Sequence, residues 1–234
     1  MYVQGDAVRD FVFPLAVVSP SHEGLSLTKP LGSAFLIGNR GFALTAKHVI
    51  SGCSGDEIAG LFVLPDGGWV GFRVEAREMH PTEDVALVRI SGGPWASPFR
   101  LSGTSEHASC RYRLFGYPDD TTYEIVRGHK AVIRPDLVYN EGYIRRRVTG
   151  SVPAVAGSSF FELSEIAGGG SSGAPVFKFS KPTWDVIGIY VGEKTNDRST
   201  SVSFAVREES FRDWSPSILR CSVYEESQAA LGTR

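Results

Sequence analysis

The segment AGGGSSGAPVF, Ala167 to Phe177, places three glycines and two serines directly before an apolar strand. Such a run also occurs in plain flexible loops, so the rest of the chain has to support any catalytic interpretation. A hydroxyl that attacks an acyl group needs backbone N–H groups aimed at the oxygen that becomes negatively charged. Glycine best tolerates the backbone angles and the close substrate approach that this requires. The segment therefore indicates a nucleophilic serine, Ser171 or Ser172, between Gly170 and Gly173.

The composition is that of an ordinary globular protein, with 234 residues, 42% hydrophobic and 21% charged. A formal net charge of −2 gives no electrostatic reason to expect nucleic acid or an anionic membrane as a partner. No stretch approaches the ~20 apolar residues of a membrane span, and the first residues do not have the pattern of a signal peptide. The three cysteines, Cys53, Cys110 and Cys221, lie far apart without metal-binding spacing. We therefore expect a cytoplasmic protein without a disulfide framework.

Short apolar segments bounded by Gly, Pro, Asp and Ser predict an all-β protein. Six strands are expected in the first half, at 13–19, 33–38, 42–46, 60–65, 69–78 and 84–91. Seven are expected in the second half, at 111–118, 124–133, 143–150, 159–163, 174–179, 184–192 and 202–208.

The stretch SGGPWASPF, Ser91 to Phe99, is dense in Gly, Pro and Ser and separates the two sets of strands. Two antiparallel β-barrels of the six-stranded type are the natural architecture for such a chain. The expected domains are 1–95, 96–215 and a C-terminal tail, 216–234. We also expect a short helix that begins at EESFRDW and is stopped by Pro216, because proline removes a backbone donor.

Two side chains before the glycine run could act together with a serine. His48 follows the small and apolar residues of GFALTAKHV, where a strand is expected to meet a loop. Asp84 opens the apolar segment DVALVRI, and a carboxylate there is costly to bury without a donor. A histidine N–H is a suitable donor, and the carboxylate then fixes the tautomer and orientation of the ring. A structural histidine and a strand-capping aspartate are the plain alternatives, and His80 and Glu83 are close enough in sequence to compete for either role.

In the order His, Asp, Ser, these segments resemble the chymotrypsin-like (trypsin-like) serine proteases. LTAKHV is similar to their TAAHC block, DVALVRI to DIALL, and GSSGAP to GDSGGP. RLFGYP and VSFAV are similar to the AIGNP-type and GFAI strands of bacterial members. The resemblance covers roughly residues 11–207 and implies a double β-barrel with the active site in the cleft between the barrels.

Carried onto this sequence, the resemblance implies a catalytic triad of His48, Asp84 and Ser172. The backbone N–H groups of Gly170 and Ser172 would form the oxyanion hole. The implied activity is that of a serine endopeptidase, which cleaves protein or peptide substrates through an acyl-enzyme and requires neither metal nor cofactor. A binding or scaffold module with little turnover and an esterase-type hydrolase are the alternatives.

The chain departs from the digestive and clotting members of that family at two positions. Ser171 stands where those members have an aspartate that binds a new N-terminal ammonium, so activation by that cleavage is not expected. Val49 replaces the cysteine of a family disulfide. Both departures resemble the bacterial HtrA-like and related trypsin-like peptidases. HtrA-like chains continue into a PDZ domain, whereas about 30 residues follow Val206 here, and a regulatory partner or a larger parent protein stays an open question.

The resemblance also locates a substrate pocket. Its floor would lie six residues before the nucleophile, at Ile166, with Ala167 beside it. The strand GIYVGE would form one wall and bring Tyr190 and Glu193 towards the pocket. Without an aspartate at the floor, the pocket favours apolar substrate side chains, while Glu193 leaves a basic preference open.

Overall fold

The computed structural model of the protein describes residues 5–22, 24–64, 68–127, 130–179, 183–195 and 201–229. The described chain is dominated by antiparallel strands, so the predicted all-β class is confirmed. None of the helices in these ranges reaches the length and apolarity that a membrane crossing requires.

The first half of the chain closes into a six-stranded antiparallel barrel. Its strands are β1 (Val12–Ser21), β2 (Gly24–Ile37), β3 (Phe42–Thr45), β4 (Ile58–Val63), β5 (Trp69–Met79) and β6 (Ala86–Ile90). They pair in the order β1-β2-β3-β6-β5-β4, and β4 pairs back to β1. All six predicted segments correspond to strands. β2 is longer than predicted because its first half is exposed and polar, and so carries no apolar signal although it pairs with β1.

The second half forms a second closed barrel. Its strands are β7 (Arg100–Leu101), β8 (Arg111–Gly116), β9 (Thr122–Arg127), β10 (Lys130–Pro135), β11 (Val138–Thr149), β12 (Ser159–Leu163), β13 (Pro175–Lys178), β14 (Asp185–Thr195) and β15 (Ser201–Arg207). Six of them pair in the order β13-β8-β11-β12-β15-β14, and β14 pairs back to β13. The short β7 adds to β14 in parallel. The domain limits near residues 95 and 215 stay predictions.

The expectation of one strand over residues 124–133 is wrong. β9 and β10 pair with each other as a separate two-stranded sheet outside the barrel. Glycine in the sequence RGHK interrupts the apolar pattern, and such a glycine marks a turn more often than the interior of a strand. The glycine itself, with His129, lies outside the described residues.

The helices also differ from the prediction. A short helix, α1 (Lys47–Ser51), follows β3, and the C-terminal helix α2 (Val223–Ala229) lies beyond Pro216. The expected helix at EESFRDW is wrong, because only Glu208–Ser210 forms a 3₁₀ turn there. Ser222 starts α2 with a capping box, in which its hydroxyl accepts the Glu225 N–H at 3.1 Å and the Glu225 carboxylate accepts the Ser222 N–H at 2.8 Å.

An aromatic cluster joins the two barrels beneath the cleft. Phe99, in the connection between them, lies with its ring centroid 6.5 Å from Phe35 of β2. On the other side it lies 4.8 Å from Phe177 of β13 and 5.9 Å from Trp184. Phe99 is fully buried, and one continuous apolar core contains residues of both barrels. This core fixes the relative position of the barrels and so of the groups at the cleft.

Candidate active site

The carboxylate of Asp84 holds His48 through both of its oxygens. The His48 backbone N–H donates to Oδ1 at 2.9 Å, and Nδ1 lies 2.7 Å from Oδ2. Asp84 is 3% exposed, whereas the His48 side chain is 47% exposed. A carboxylate accepts a proton donor at Nδ1, so in the neutral imidazole this contact selects the tautomer in which Nε2 is the acceptor. His48 was expected at the end of a strand; β3 instead ends at Thr45, and the histidine lies in α1.

The two competitors for these roles are engaged elsewhere. His80 is buried, its Nδ1 accepts the Glu83 N–H at 2.9 Å, and its ring packs edge-on against Trp214 at 5.1 Å. Burial lowers the pKa of His80. The Glu83 carboxylate accepts the Ser158 N–H at 3.0 Å and its hydroxyl at 2.9 Å. Both residues therefore brace the loop that carries Asp84, and Glu83 ties that loop to the second barrel.

The two serines of the glycine run have different environments. Ser171 is 1% exposed, and its hydroxyl donates to the carbonyl oxygen of Ala167 at 2.7 Å. Ser172 is half-buried, and its hydroxyl makes no hydrogen bond to any part of the chain that the structure describes. A Cβ placed on Gly192 of β14 would lie 4.0 Å from the Ser172 Oγ, so the strand passes close beside the hydroxyl. Of the two hydroxyls, that of Ser172 is available to react.

The peptide group that joins Gly169 to Gly170 is fixed from outside the loop. The carbonyl oxygen of Gly169 accepts the backbone N–H of Asp119 at 2.8 Å. In a planar trans peptide the N–H points away from the C=O, so this bond sets the direction of the Gly170 N–H. Gly170 has φ +82°, a conformation that glycine adopts at low cost.

The direction of the second N–H donor, that of Ser172, is set by a hydrogen bond within the loop. The carbonyl oxygen of Ser171 accepts the Ala174 N–H at 2.9 Å, which sets the direction of the Ser172 N–H. Within the described residues, neither the Gly170 N–H nor the Ser172 N–H has a hydrogen-bond partner. Both donors are therefore held in place and available to an external oxygen.

Ser33 of β2 anchors this loop on the first barrel. Its N–H donates to the carbonyl oxygen of Ser172 at 2.8 Å, and its hydroxyl donates to that of Gly170 at 3.0 Å. The same hydroxyl accepts the backbone N–H of Tyr117 at 3.0 Å. Ser33 is fully buried. Ser33 is not among the predicted site residues, and its only local signal is a polar residue at the start of the buried segment SAFLI.

Gly173 marks the closest approach of the two barrels. It has φ +92°, and a Cβ there would lie 2.0 Å from the carbonyl oxygen of Ser33 and 2.4 Å from the Thr45 Oγ1. Thr45 donates its hydroxyl to the same Ser33 oxygen at 2.7 Å. No side chain fits this space, so the glycine after Ser172 is required by packing as well as by backbone conformation.

Gly32 brings the serine towards the histidine. A Cβ on Gly32 would lie 2.8 Å from the carbonyl oxygen of Ser172 and 2.8 Å from the Val49 Cγ2. Val49 directly follows His48 in α1. The Ser172 backbone from the second barrel and the His48 helix from the first therefore both approach Gly32.

We expect Ser33→Ala to lower kcat for peptide cleavage about 10²-fold with little change in KM, because misplacement of catalytic groups costs rate at that scale. The substitution leaves the Gly170 carbonyl and the Tyr117 N–H without their partner, which releases the donor loop. Steady-state kinetics with a peptide that the wild type cleaves, measured over a range of substrate concentrations up to saturation, give kcat and KM separately.

Ser97→Ala is the matched control. The Ser97 hydroxyl is also buried, in the connection between the barrels; it donates to the Leu36 carbonyl at 2.7 Å and accepts the Phe99 N–H at 3.1 Å. The Ser97→Ala substitution should lower the melting temperature but leave kcat unchanged. Equal losses of kcat in Ser33→Ala and Ser97→Ala would assign Ser33 a purely structural role.

The residues expected to form the substrate pocket are found in two environments. Ala167 donates its N–H to the Tyr190 hydroxyl at 3.2 Å, and Tyr190 is 1% exposed. Burial raises the pKa of Tyr190 to about 12. Ile166 is 40% exposed, and Glu193 is also exposed on β14. The structure therefore brings Ala167 and Tyr190 into contact and leaves Ile166 and Glu193 at the surface.

The described part of the chain contains no cluster of potential metal ligands. No group of three His, Cys, Asp or Glu side chains there is arranged to hold a metal ion. Cys53, Cys110 and Cys221 are free thiols, and none of them takes part in the contacts of His48 or Asp84.

Comparison with solved structures establishes the fold. The protease domain of MamO from Magnetospirillum magneticum matches with a TM-score of 0.62 and 16% identity, over 87% of this chain and 94% of that one. An HtrA-type protease, AlgW, solved with a decapeptide, matches with a TM-score of 0.54 and 19% identity, over 85% of this chain and 61% of that one. A search of curated protein sequences finds no significant match.

A family model described as the trypsin-like peptidase domain matches residues 32–189. The matched region includes His48, Asp84 and Ser172 and most strands of both barrels. Since it covers more than half of the chain, the protein belongs to the trypsin-like peptidase family.

Proposed function

We propose that the protein is a serine endopeptidase that hydrolyses peptide bonds through an acyl-enzyme. Ser172 is the nucleophile, His48 the general base and then the general acid, and Asp84 the group that orients the histidine. The observation that carries the proposal is the two-oxygen contact of Asp84 with His48, at 2.9 and 2.7 Å. The approach of the Ser172 backbone to the His48 helix at Gly32 supports it. Membership of the trypsin-like peptidase family supports a peptide as the substrate class.

In the acylation step, the Ser172 Oγ attacks the scissile carbonyl carbon while the His48 Nε2 removes the hydroxyl proton. The carbonyl oxygen becomes negatively charged and accepts the N–H groups of Gly170 and Ser172. The buried Asp84 carboxylate stabilises the imidazolium that forms and does not itself take the proton. His48 then donates its Nε2 proton to the leaving amine. Water attacks the ester in the second half of the reaction, again with His48 as base.

Loop contacts support an oxyanion site that needs no cleavage of the chain for its formation. The Ser171 hydroxyl donates to the Ala167 carbonyl within the loop itself. The Gly169 and Gly170 carbonyls are held by Asp119 and Ser33. These bonds replace the ammonium-to-aspartate contact on which zymogen activation depends, so activity is expected from the intact chain.

A fluorophosphonate tests the proposal, because it reacts only with an activated serine. The wild-type protein should gain one adduct, which tryptic-peptide mass spectrometry locates at Ser172, and it should cleave members of a peptide library. EDTA should leave both results unchanged. Absence of an adduct would favour a binding module, and labelling with hydrolysis of nitrophenyl esters but of no peptide would favour an esterase.

Tyr190 limits the size of the substrate side chain in this proposal. The side chain on the acyl side of the scissile bond must lie near the Ser172 Oγ, between the glycine loop and β14. Tyr190 is fully buried, and its hydroxyl accepts the N–H of Ala167. Its ring therefore occupies space between β14 and the glycine loop that a large substrate side chain would need. Small apolar side chains, alanine and valine, should therefore be preferred.

We expect Tyr190→Val to increase the ratio of kcat/KM for phenylalanine over alanine substrates at least about tenfold, since one buried ring is exchanged for open volume. Tyr190→Phe keeps the ring and is the matched control, and it should retain the preference for small side chains. The ratio within one variant does not depend on how much of that variant is folded. A wild-type preference for lysine or arginine would instead assign specificity to Glu193.

A further inference from the structure

A second candidate site lies where the C-terminal segment packs on the first barrel. It is a cleft with a volume of about 340 Å³. Its described lining residues come from the turn before β3, from β3 and β6, and from the segment between Pro216 and α2. They are Arg40, Phe42, Arg89, Ile218, Leu219 and Arg220. We call it the arginine cleft, and no residue of the proposed triad lines it.

Two of its three cations lack a strong internal partner. Arg40 is neutralised by Glu226, whose side chain is 1% exposed and accepts the Arg40 Nε–H at 2.7 Å. The Arg89 Nε lies 3.9 Å from the carboxylate of Glu75, and both side chains are about half exposed. Such an exposed ion pair contributes little to stability. Arg220 makes no ion pair with any residue in the described ranges.

The guanidinium groups are held in position around an aromatic ring. Those of Arg40 and Arg89 lie 5.4 and 5.9 Å from the centroid of the Phe42 ring, within the range of cation–π attraction. Phe42 is 3% exposed and belongs to the core, so it gives the two cations a fixed support. Two side chains held on one ring lose less freedom when they bind a ligand.

Arg220 keeps an unfavourable backbone conformation at the rim of the cleft. Its φ is +66°, where residues with a side chain are strained, and only Ser109 and Ala154 share this property among the described non-glycine residues. Its N–H donates to the Pro216 carbonyl at 3.1 Å, which closes the turn. Glycine or asparagine would fit this position better, so the arginine side chain is kept there against the local preference.

We propose that the arginine cleft binds a compact anion that carries at least two phosphate or carboxylate groups. Guanidinium groups pair with both oxyanions through two parallel hydrogen bonds. The described lining residues include no carboxylate; the nearby carboxylates are Glu226, which pairs with Arg40, and Glu75, which lies 3.9 Å from the Arg89 Nε. The protein as a whole carries a formal charge of −2, so the cleft is a local exception and not part of a basic surface. Its volume is within the range of small-molecule sites, about 300–1,000 Å³.

Titration calorimetry with inorganic pyrophosphate at low salt tests the proposal. The wild-type protein should bind one equivalent, and the double variant Arg89→Gln/Arg220→Gln should raise Kd at least tenfold. Arg40 is left unchanged, because its loss would leave Glu226 buried without a partner. Arg145→Gln is the matched control, since Arg145 is an equally exposed arginine on the second barrel.

The outcomes separate the ligand classes from non-specific attraction. Tighter binding of pyrophosphate than of citrate assigns the cleft to phosphates, and the reverse assigns it to carboxylates. Binding no tighter than that of sulfate at matched ionic strength, or equal losses in the double variant and in Arg145→Gln, would overturn the proposal. A melting temperature equal to that of the wild type shows that the double variant is folded, and the binding result does not depend on whether the protein is a peptidase.

Discussion

Ser172→Ala is expected to remove peptide cleavage and fluorophosphonate labelling together, with a loss in kcat of about 10⁶-fold, as found for catalytic groups that act as a unit. The hydroxyl of Ser171 is buried and bonded to the Ala167 carbonyl, whereas the Ser172 hydroxyl is half-buried and makes no hydrogen bond within the described residues. Its removal creates no steric conflict, so the variant should keep the melting temperature of the wild type. Intact-mass spectrometry after labelling measures the loss directly.

Ser171→Ala is the control for the assignment of the nucleophile. Its hydroxyl only bonds the Ala167 carbonyl inside the loop, so labelling should persist and kcat should fall by a modest factor. An adduct on Ser171, or an active Ser172→Ala protein, would show that the nucleophile is one position earlier. The assignment of Gly170 as an oxyanion donor would then fail as well.

Asp84→Asn should lower kcat about 10⁴-fold, the scale found when a triad histidine is held in the wrong tautomer. Both oxygens of Asp84 accept N–H donors of His48, one from the backbone and one from Nδ1. An amide offers one oxygen, so its NH₂ group must face one of these donors or turn the ring to the tautomer protonated at Nε2. A ring protonated at Nε2 cannot take the proton of Ser172.

The proton resonance of the His48 Nδ1–H distinguishes this effect from simple unfolding. In the wild type, proton NMR should show a downfield Nδ1–H resonance that His48→Ala removes and that Asp84→Asn shifts or abolishes. Glu83→Gln is the control, because that carboxylate is also buried in the same loop but bonds only Ser158 and its neighbours. It should keep the resonance and most of the activity. Near-normal turnover in Asp84→Asn would mean that another group orients the base.

Local sequence patterns predicted most of the strands and the contact between His48 and Asp84. Segments such as DVALVRI and SFFEL carry their own apolar signal, and each is a strand of the expected barrel. The contact of His48 with Asp84 could be anticipated because few groups can satisfy a carboxylate beside a buried strand. These inferences succeed because the necessary information is contained within a few neighbouring residues.

The anchors of the catalytic loop could not be predicted in this way. Ser33 bonds Gly170 across 137 positions of sequence, and a serine before an apolar strand has many ordinary explanations.

The C-terminal helix was misplaced for a more local reason. EESFRDW was favoured for its position before Pro216, whereas the capping box of Ser222 and Glu225 starts the helix six residues after that proline. The start signal is present in SVYE, but it precedes a helix of only seven residues, too short for a hydrophobic period to be recognised.

The Phe99 junction has a consequence for how the molecule folds and how it can be divided. Its ring contacts Phe35 on one side and Phe177 on the other, so part of the hydrophobic stabilisation of each barrel is supplied by the other. A fragment cut in the connection would expose these aromatic surfaces to water and lose that free energy. We therefore expect neither barrel to keep its full stability alone, so that separating the halves loses both the shared core and the relative position of His48 and Ser172.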